Sequence, residues 1–262
     1  GDWTYKANLA YDYLNVGDSL KDTFQVTSSD GTKSSVSVTI AGTADTTTVH
    51  LGDAPVSQSG TGGQWAQAWT QTGYAFSHKA DHTNTAEAWS AVKLSGVGSQ
   101  LLTGGDIFAG DLGVSGQSQA TSTVRQEIDG KEVLRVTLPT AADSVTVKLS
   151  NLFTNDDGSA FSESGLLRLL DAMGQVVSEK AFFAGSSAGT QTVTLAAAGG
   201  FSALELVAGA YDDSAGTFVY GGYSSASDTF GSAITTDATG KLHGSDFLVD
   251  SMDFAVTLVG VP

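Results

Sequence analysis

The chain has 262 residues, no cysteine, and 28 Asp and Glu against 12 Lys and Arg, a formal net charge of −16. Disulfides are therefore excluded as its scaffold, and polyanionic partners such as nucleic acid or an anionic membrane surface are disfavoured, which leaves cations as the natural counterpart. Charged residues are nonetheless only 15% of the chain and hydrophobic ones 40%, the composition of a folded protein rather than of an acidic disordered tail. The length suits two domains of β type. No apolar run of about 18 residues is present to cross a bilayer, and the N-terminus lacks the basic and apolar regions of a signal peptide. Gly1 is accordingly expected to be a cut inside a longer, secreted protein, of which this is a monomeric fragment.

The first elements alternate apolar and polar residues: Trp3-Thr4-Tyr5, then Asp22-Thr23-Phe24-Gln25-Val26-Thr27, a turn at Ser29-Asp30-Gly31-Thr32, and Val36-Ser37-Val38-Thr39-Ile40. A period of two, β-branched residues and an Asp-Gly turn predict antiparallel strands. Residues 45–64, with three threonines, Pro55 and a Ser-Gly-Thr-Gly-Gly run, read as a linker, so the expected division is 1–54 and 55–262. Beyond it, strands are predicted at 124–128, 133–138, 145–149, 165–170, 176–183, 190–195, 203–208, 217–220 and 247–259. Many short strands with frequent turn signals imply an all-β fold of antiparallel β-sandwich type with little helix. The Leu-rich stretch from Gly165 to Glu179 is expected to be a hairpin turning at Asp171-Ala172-Met173-Gly174, because helix caps are missing from its flanks.

Acids in Gly-rich loops are the candidate chemistry. They occur as Asn155-Asp156-Asp157-Gly158-Ser159, as Tyr211-Asp212-Asp213-Ser214, and as Gly244-Ser245-Asp246-Phe247-Leu248-Val249-Asp250. Ca2+ takes six to eight oxygens at about 2.3–2.6 Å, which Asp and Ser side chains and free carbonyls beside Gly can supply. Asp156, Asp157, Asp212, Asp213, Asp246 and Asp250 are thus candidate calcium ligands, against the plainer reading of doubled Asp as turn chemistry. If the strand after Phe247 pairs with Leu204–Val207, Asp246, Asp250 and the 212–213 pair lie near strand ends, with Asp246, Leu248 and Asp250 on one face.

Tyr220, Tyr223, Asp228 and Phe230 lie in a Gly/Ser-rich stretch and are candidate ligand-binding residues, since loop aromatics stack sugar rings or grip aromatic side chains. The earlier group Trp65, Trp69, Tyr74 and Trp89 reads as core. His78 and His82 with Asp81 have the residue types of a zinc pair, but a solvated loop is the better expectation. Nucleophile elbows, phosphate cradles and catalytic cysteines are missing, and a glycosidase-like pairing of Glu163 or Glu205 with a loop Asp is easily found by chance in so acidic a chain, so no enzyme is expected.

Gly1-Asp2-Trp3-Thr4-Tyr5, Val16-Gly17-Asp18-Ser19-Leu20-Lys21-Asp22-Thr23-Phe24 and Val38-Thr39-Ile40-Ala41-Gly42-Thr43-Ala44-Asp45 together resemble the second half of a VCBS repeat. Ala44-Asp45 stands where that family closes with Asn-Asp. Such repeats extend giant adhesins of the RTX type, which Gram-negative bacteria export by type I secretion. Phe201–Val207, Tyr211-Asp212-Asp213 and Gly244–Phe254 are similar to the closing part of ligand-binding-region domains in the same adhesins. The resemblance implies an extracellular, Ca2+-stabilised module whose bound ion takes vicinal hydroxyls or a peptide's terminal carboxylate from another cell or substratum. A peptide ligand is preferred over carbohydrate, and a structural extender without its own ligand is the alternative.

Overall fold

A computed structural model of the chain describes residues 4–7, 9, 11, 13–53, 66–82, 84–95, 99, 101, 110–114, 127–129, 132–154, 162–209 and 245–258, together with the backbone of short strands between 210 and 243. The chain is all-β and antiparallel. It divides into two compact units, one of residues 1–47 with 256–262 and one of residues 48–255.

In the first unit, β1 (Ser19–Thr27) and β2 (Lys33–Ala41) form a two-stranded sheet with Leu20 opposite Ile40 and Phe24 opposite Val36. The predicted turn closes it. Asp30 accepts hydrogen bonds from the Ser28 hydroxyl and from the Thr32 amide at 3.0 Å, and these donors hold its carboxyl down at about 2. Tyr5 stacks on Phe24 with centroids 6.4 Å apart and donates to Asp22 at 3.1 Å. None of the described residues from Thr4 to Thr47 is buried.

The second unit is built on β3 (Asp45–Gly52), β4 (Ala75–Lys79), β5 (Ser90–Ala91), β6 (Ile128–Asp129), β7 (Val133–Ser150), β8 (Ser164–Leu170), β9 (Val176–Phe183), β10 (Thr190–Ala208) and, later in the chain, β17 (Asp246–Leu258). Between them lie β11 (Ala210–Asp212), β12 (Thr217–Val219), β13 (Tyr223–Ser224), β14 (Thr229–Phe230), β15 (Thr235–Thr236) and β16 (Leu242–His243), joined pairwise as three short ribbons. The main sheet runs β3-β17-β7-β10-β8-β9, with β4 on the first half of β7 and β6 on the start of β17.

Strands predicted at 133–138 and 145–149 are one strand, β7, and those at 190–195 and 203–208 are likewise one, β10. Their ladder shifts register between Ala196 and Ala203, opposite the stretch of β7 containing Pro139. Proline has no amide to give to a ladder, and Gly199 and Gly200 hold φ at +91° and +81°, so this is a corner rather than a break. The sheet turns there and folds over itself. Four strand spacings, about 19 Å in a flat sheet, separate β17 from β9, yet the rings of Phe247 and Phe182 meet edge to face at 5.1 Å. Gly165 makes that meeting possible, because the Phe182 ring lies where a side chain on it would stand.

Between the layers sit Leu134, Val136, Leu167, Leu169, Leu204, Leu206, Val147, Leu149, Phe201 and Phe254, all essentially inaccessible. Burying one such Leu or Phe is worth about 1.5–3 kcal/mol. Trp69 is fully buried, as expected, and its indole donates to the Gly110 carbonyl at 2.8 Å. Tyr74 is half-buried against Phe254, and Trp89, also half-buried, lies under the Arg135 guanidinium at 3.8 Å with the Lys79 ammonium at 5.0 Å. Trp65 lies outside the described residues. The 165–179 segment is the expected hairpin, with Asp171 accepting from the amides of Met173 and Gln175 at 2.8 Å each. His78 is on a paired strand, β4, rather than in a loop, and burial lowers its pKa against the pull of Glu87. Among the described residues no helix is long and apolar enough to cross a membrane.

Candidate functional site

The expected pairing of the strand after Phe247 with Leu204–Val207 does not form. Those residues of β10 are taken on both sides, by Val133–Val136 of β7 and Leu166–Leu169 of β8. β17 instead pairs with the second half of β7, from Leu248 opposite Ser150 to Ala255 opposite Ser144. The register slips between Val249 and Ser251, so Asp250 is a bulge. A bulge flips the alternation, which is why Phe247 and Val249 point inward before it and Met252, Phe254 and Val256 after it. Asp246 and Leu248 share the face opposite Phe247 and Val249, as read from the sequence, but Leu248 is buried on that face too and the bulge takes Asp250 out of the alternation.

The two candidate ligands on β17 therefore meet different chemistry. Asp250 lies against Lys148, with the ammonium 2.6 Å from its carboxylate. The lysine pKa is raised by that hydrogen bond and by attraction to Asp250, Asp53 and Asp111, against a partial loss from burial. A protein ammonium thus serves the acids at this bulge. Asp246, half-buried, stands directly opposite Asp129 of β6, which is 2% exposed. Opposed residues in an antiparallel pair have Cβ atoms about 4.5–5.5 Å apart, and two like charges there repel.

More acids gather at this end of the sheet. Asp111, Glu127, Glu132 and Glu163 are 6%, 3%, 1% and 4% exposed. Glu132 folds back to accept from the Asp129 amide at 3.2 Å, and its own amide donates to the Asp129 carbonyl at 2.9 Å. Glu127 accepts from the Asn151 side-chain amide at 2.6 Å, Asp111 from the Ser150 hydroxyl, and Glu163 from the Phe153 amide. The two layers close here, since the Ser164 amide at the head of β8 donates to the Ser245 hydroxyl at 2.9 Å, just before β17. The donor set is carboxylates, hydroxyls and carbonyls with neither His nor Cys, which suits a hard cation such as Ca2+ and not Zn2+. Among the described residues no three Asp, Glu or His side chains are grouped to hold an ion by themselves. A cation between Asp129 and Asp246 would complete its sphere with backbone oxygens and water.

Asp156, Asp157, Asp213, Tyr220 and Asp228 lie outside the described residues. Asp212 is the last residue of β11, opposite Thr217, and Tyr223 and Phe230 are direct partners in the β13–β14 ribbon, so the fold does bring that predicted pair to one register position. Glu205 is held between Arg135 and Arg168 across neighbouring strands. Sequence reasoning missed Asp111, Glu127, Asp129 and Glu132. The available signal was Glu127-Ile128-Asp129 and Glu132 placed directly ahead of the apolar strand at Val133.

Comparison with family models, with curated proteins and with solved structures yields no match for this chain.

Proposed function

We propose that this chain is an extracellular binding module of a bacterial RTX-type adhesin, stabilised by Ca2+ and acting by adhesion rather than catalysis. The observation that supports this most is the direct opposition of Asp246 and buried Asp129, within a group of buried carboxylates where the two layers close. Carboxylates taken out of water repel one another and lose hydration, and a divalent cation reverses both costs at once. Extracellular modules are served by ions at about 10⁻⁴–10⁻³ M, so a weak site suffices outside the cell. The Ca2+ would supply charge neutralisation and a rigid end to the sandwich. Asp129 and Asp246 would hold it, with Glu132 fixing the backbone of Asp129. The ligand would be a peptide or protein terminus on a target surface, with carbohydrate second, taken up near the 211–246 stretch that carries Tyr220, Tyr223, Asp228 and Phe230.

The test is thermal unfolding in EDTA and across a calcium titration, followed by peptide and glycan arrays with and without calcium. A calcium-dependent rise in midpoint together with calcium-dependent retention on peptides bearing a free terminus is the expected result. A rise in midpoint without retention on any array would turn the assignment to a structural extender, and no rise at all would remove calcium from it.

A further inference from the structure

β1 and β2 form a two-stranded sheet of their own. Two-stranded sheets are marginal in water, and this one has no buried residue between Thr4 and Thr47 among those described. Its apolar face, carrying Leu20, Phe24, Val36, Val38 and Ile40, is only half-buried, and Tyr5 stacks on it at Phe24. Neither strand has a further hydrogen-bonded neighbour among the described residues.

Exposed edges are ordinarily guarded by central charges. β9, at one end of the main sheet, carries Glu179 and Lys180 at its middle, and β1 carries Lys21 and Asp22. β2 differs, for its only charge is Lys33 at the very start. Two identical antiparallel strands related by a two-fold axis must set some residue opposite itself. Centred on Glu179 or Lys180, β9 would oppose like charges. Centred on Ser37, β2 opposes serine to serine, sets Val36 against Val38 of the second copy on the apolar face twice over, and puts Lys33 against Ala41. Residues 19–41 carry two lysines and two aspartates, so the pairing region is neutral in a chain of net charge −16. Repulsion from the remaining acids is screened over about 8 Å at physiological salt.

We infer that two copies of this chain associate through β2, edge to edge and antiparallel, into a continuous four-stranded sheet β1-β2-β2-β1. This departs from the monomer expected from sequence. An edge pairing of this kind would present two modules together, so that weak binding at each adds through avidity.

Sedimentation velocity of the whole chain from about 1 to 100 µM tests this. The wild type is expected to shift from monomer to dimer. S37K, which sets two ammoniums opposite each other, should weaken association roughly five- to tenfold, as should S37E, while Q25K on the outer strand, opposite Ser35, should leave it unchanged. Mixing S37K with S37E should restore the dimer, an outcome that unfolding of either variant would not give. A wild type monomeric throughout, a dimer indifferent to S37K, a dimer weakened as much by Q25K, or a mixture that fails to reassociate would each overturn the inference.

Discussion

Asp246 and Asp250 lie four residues apart on one strand, carry the same chemistry, and looked alike as candidate calcium ligands, yet the fold gives them opposite neighbours. Asp250, pushed out by the bulge, meets Lys148 at 2.6 Å and is satisfied by the chain's own cation. Asp246 meets Asp129 across a strand pair. The difference teaches that an acid's role here is set by what stands opposite in the ladder, which sequence spacing along a single strand does not reveal.

Several substitutions would break or sharpen that contrast. The largest effect belongs to the buried ring next to Asp246: Phe247→Ala removes the contact with Phe182 and should cost about 3–5 kcal/mol in chemical denaturation, with or without calcium. Asp246→Asn should change sign with the metal. If the proposed site is right, it should stabilise by about 0.5–1 kcal/mol in EDTA by removing a like charge opposite Asp129, and destabilise by about 1–3 kcal/mol in saturating calcium by removing a proposed ligand. A shift of the same sign in both buffers would contradict the pairing account.

Asp250→Asn should cost about 1 kcal/mol or less irrespective of calcium, because the Lys148 side chain is half exposed and solvent screens the pair. The raised lysine pKa means that the folded chain holds this proton more tightly. The contribution is therefore fully present below the ordinary lysine value of about 10.4 and fades as pH rises through the higher folded value. Unfolding curves for wild type and Asp250→Asn should accordingly stay a constant distance apart from pH 6 to 9 and converge only in stronger alkali. The smallest effect is at Asp30. Its carboxyl should titrate near 2 by NMR, and Ser28→Ala, which removes the leading donor, should move it back toward the usual carboxylate range. Whatever stability it contributes is present above the ordinary value near 3.9 and lost as pH falls toward 2.

Where local chemistry decides the structure, the residues announce it. The turns at Asp30-Gly31 and Asp171-Gly174 were legible because an Asp side chain caps its own following amides; β1 and β2 followed from the period-two patterns beside the first, and β8 and β9 from the second turn together with the missing helix caps. The long strands were not legible as such, since Pro139 and Gly199-Gly200, ordinary signs of a loop, here turn two continuous strands around a corner. The bulge at Asp250 escaped for a similar reason: one inserted residue inverts the inward face, and nothing in Val249-Asp250-Ser251 marks it. Asp129 and Glu132 were passed over because they stand outside the acidic loops singled out, and only the pairing of β6 with β17 brings Asp129 to Asp246.

The most direct test of the account is a calorimetric titration of Ca2+ into the chain, compared with Asp129→Asn, Asp246→Asn and Asp250→Asn. The account predicts a site with affinity on the order of 10⁻⁴–10⁻³ M or tighter, weakened about tenfold or more by either of the first two substitutions and left unchanged by the third. Binding that is absent, or that is lost with Asp250 and indifferent to Asp129 and Asp246, would contradict it.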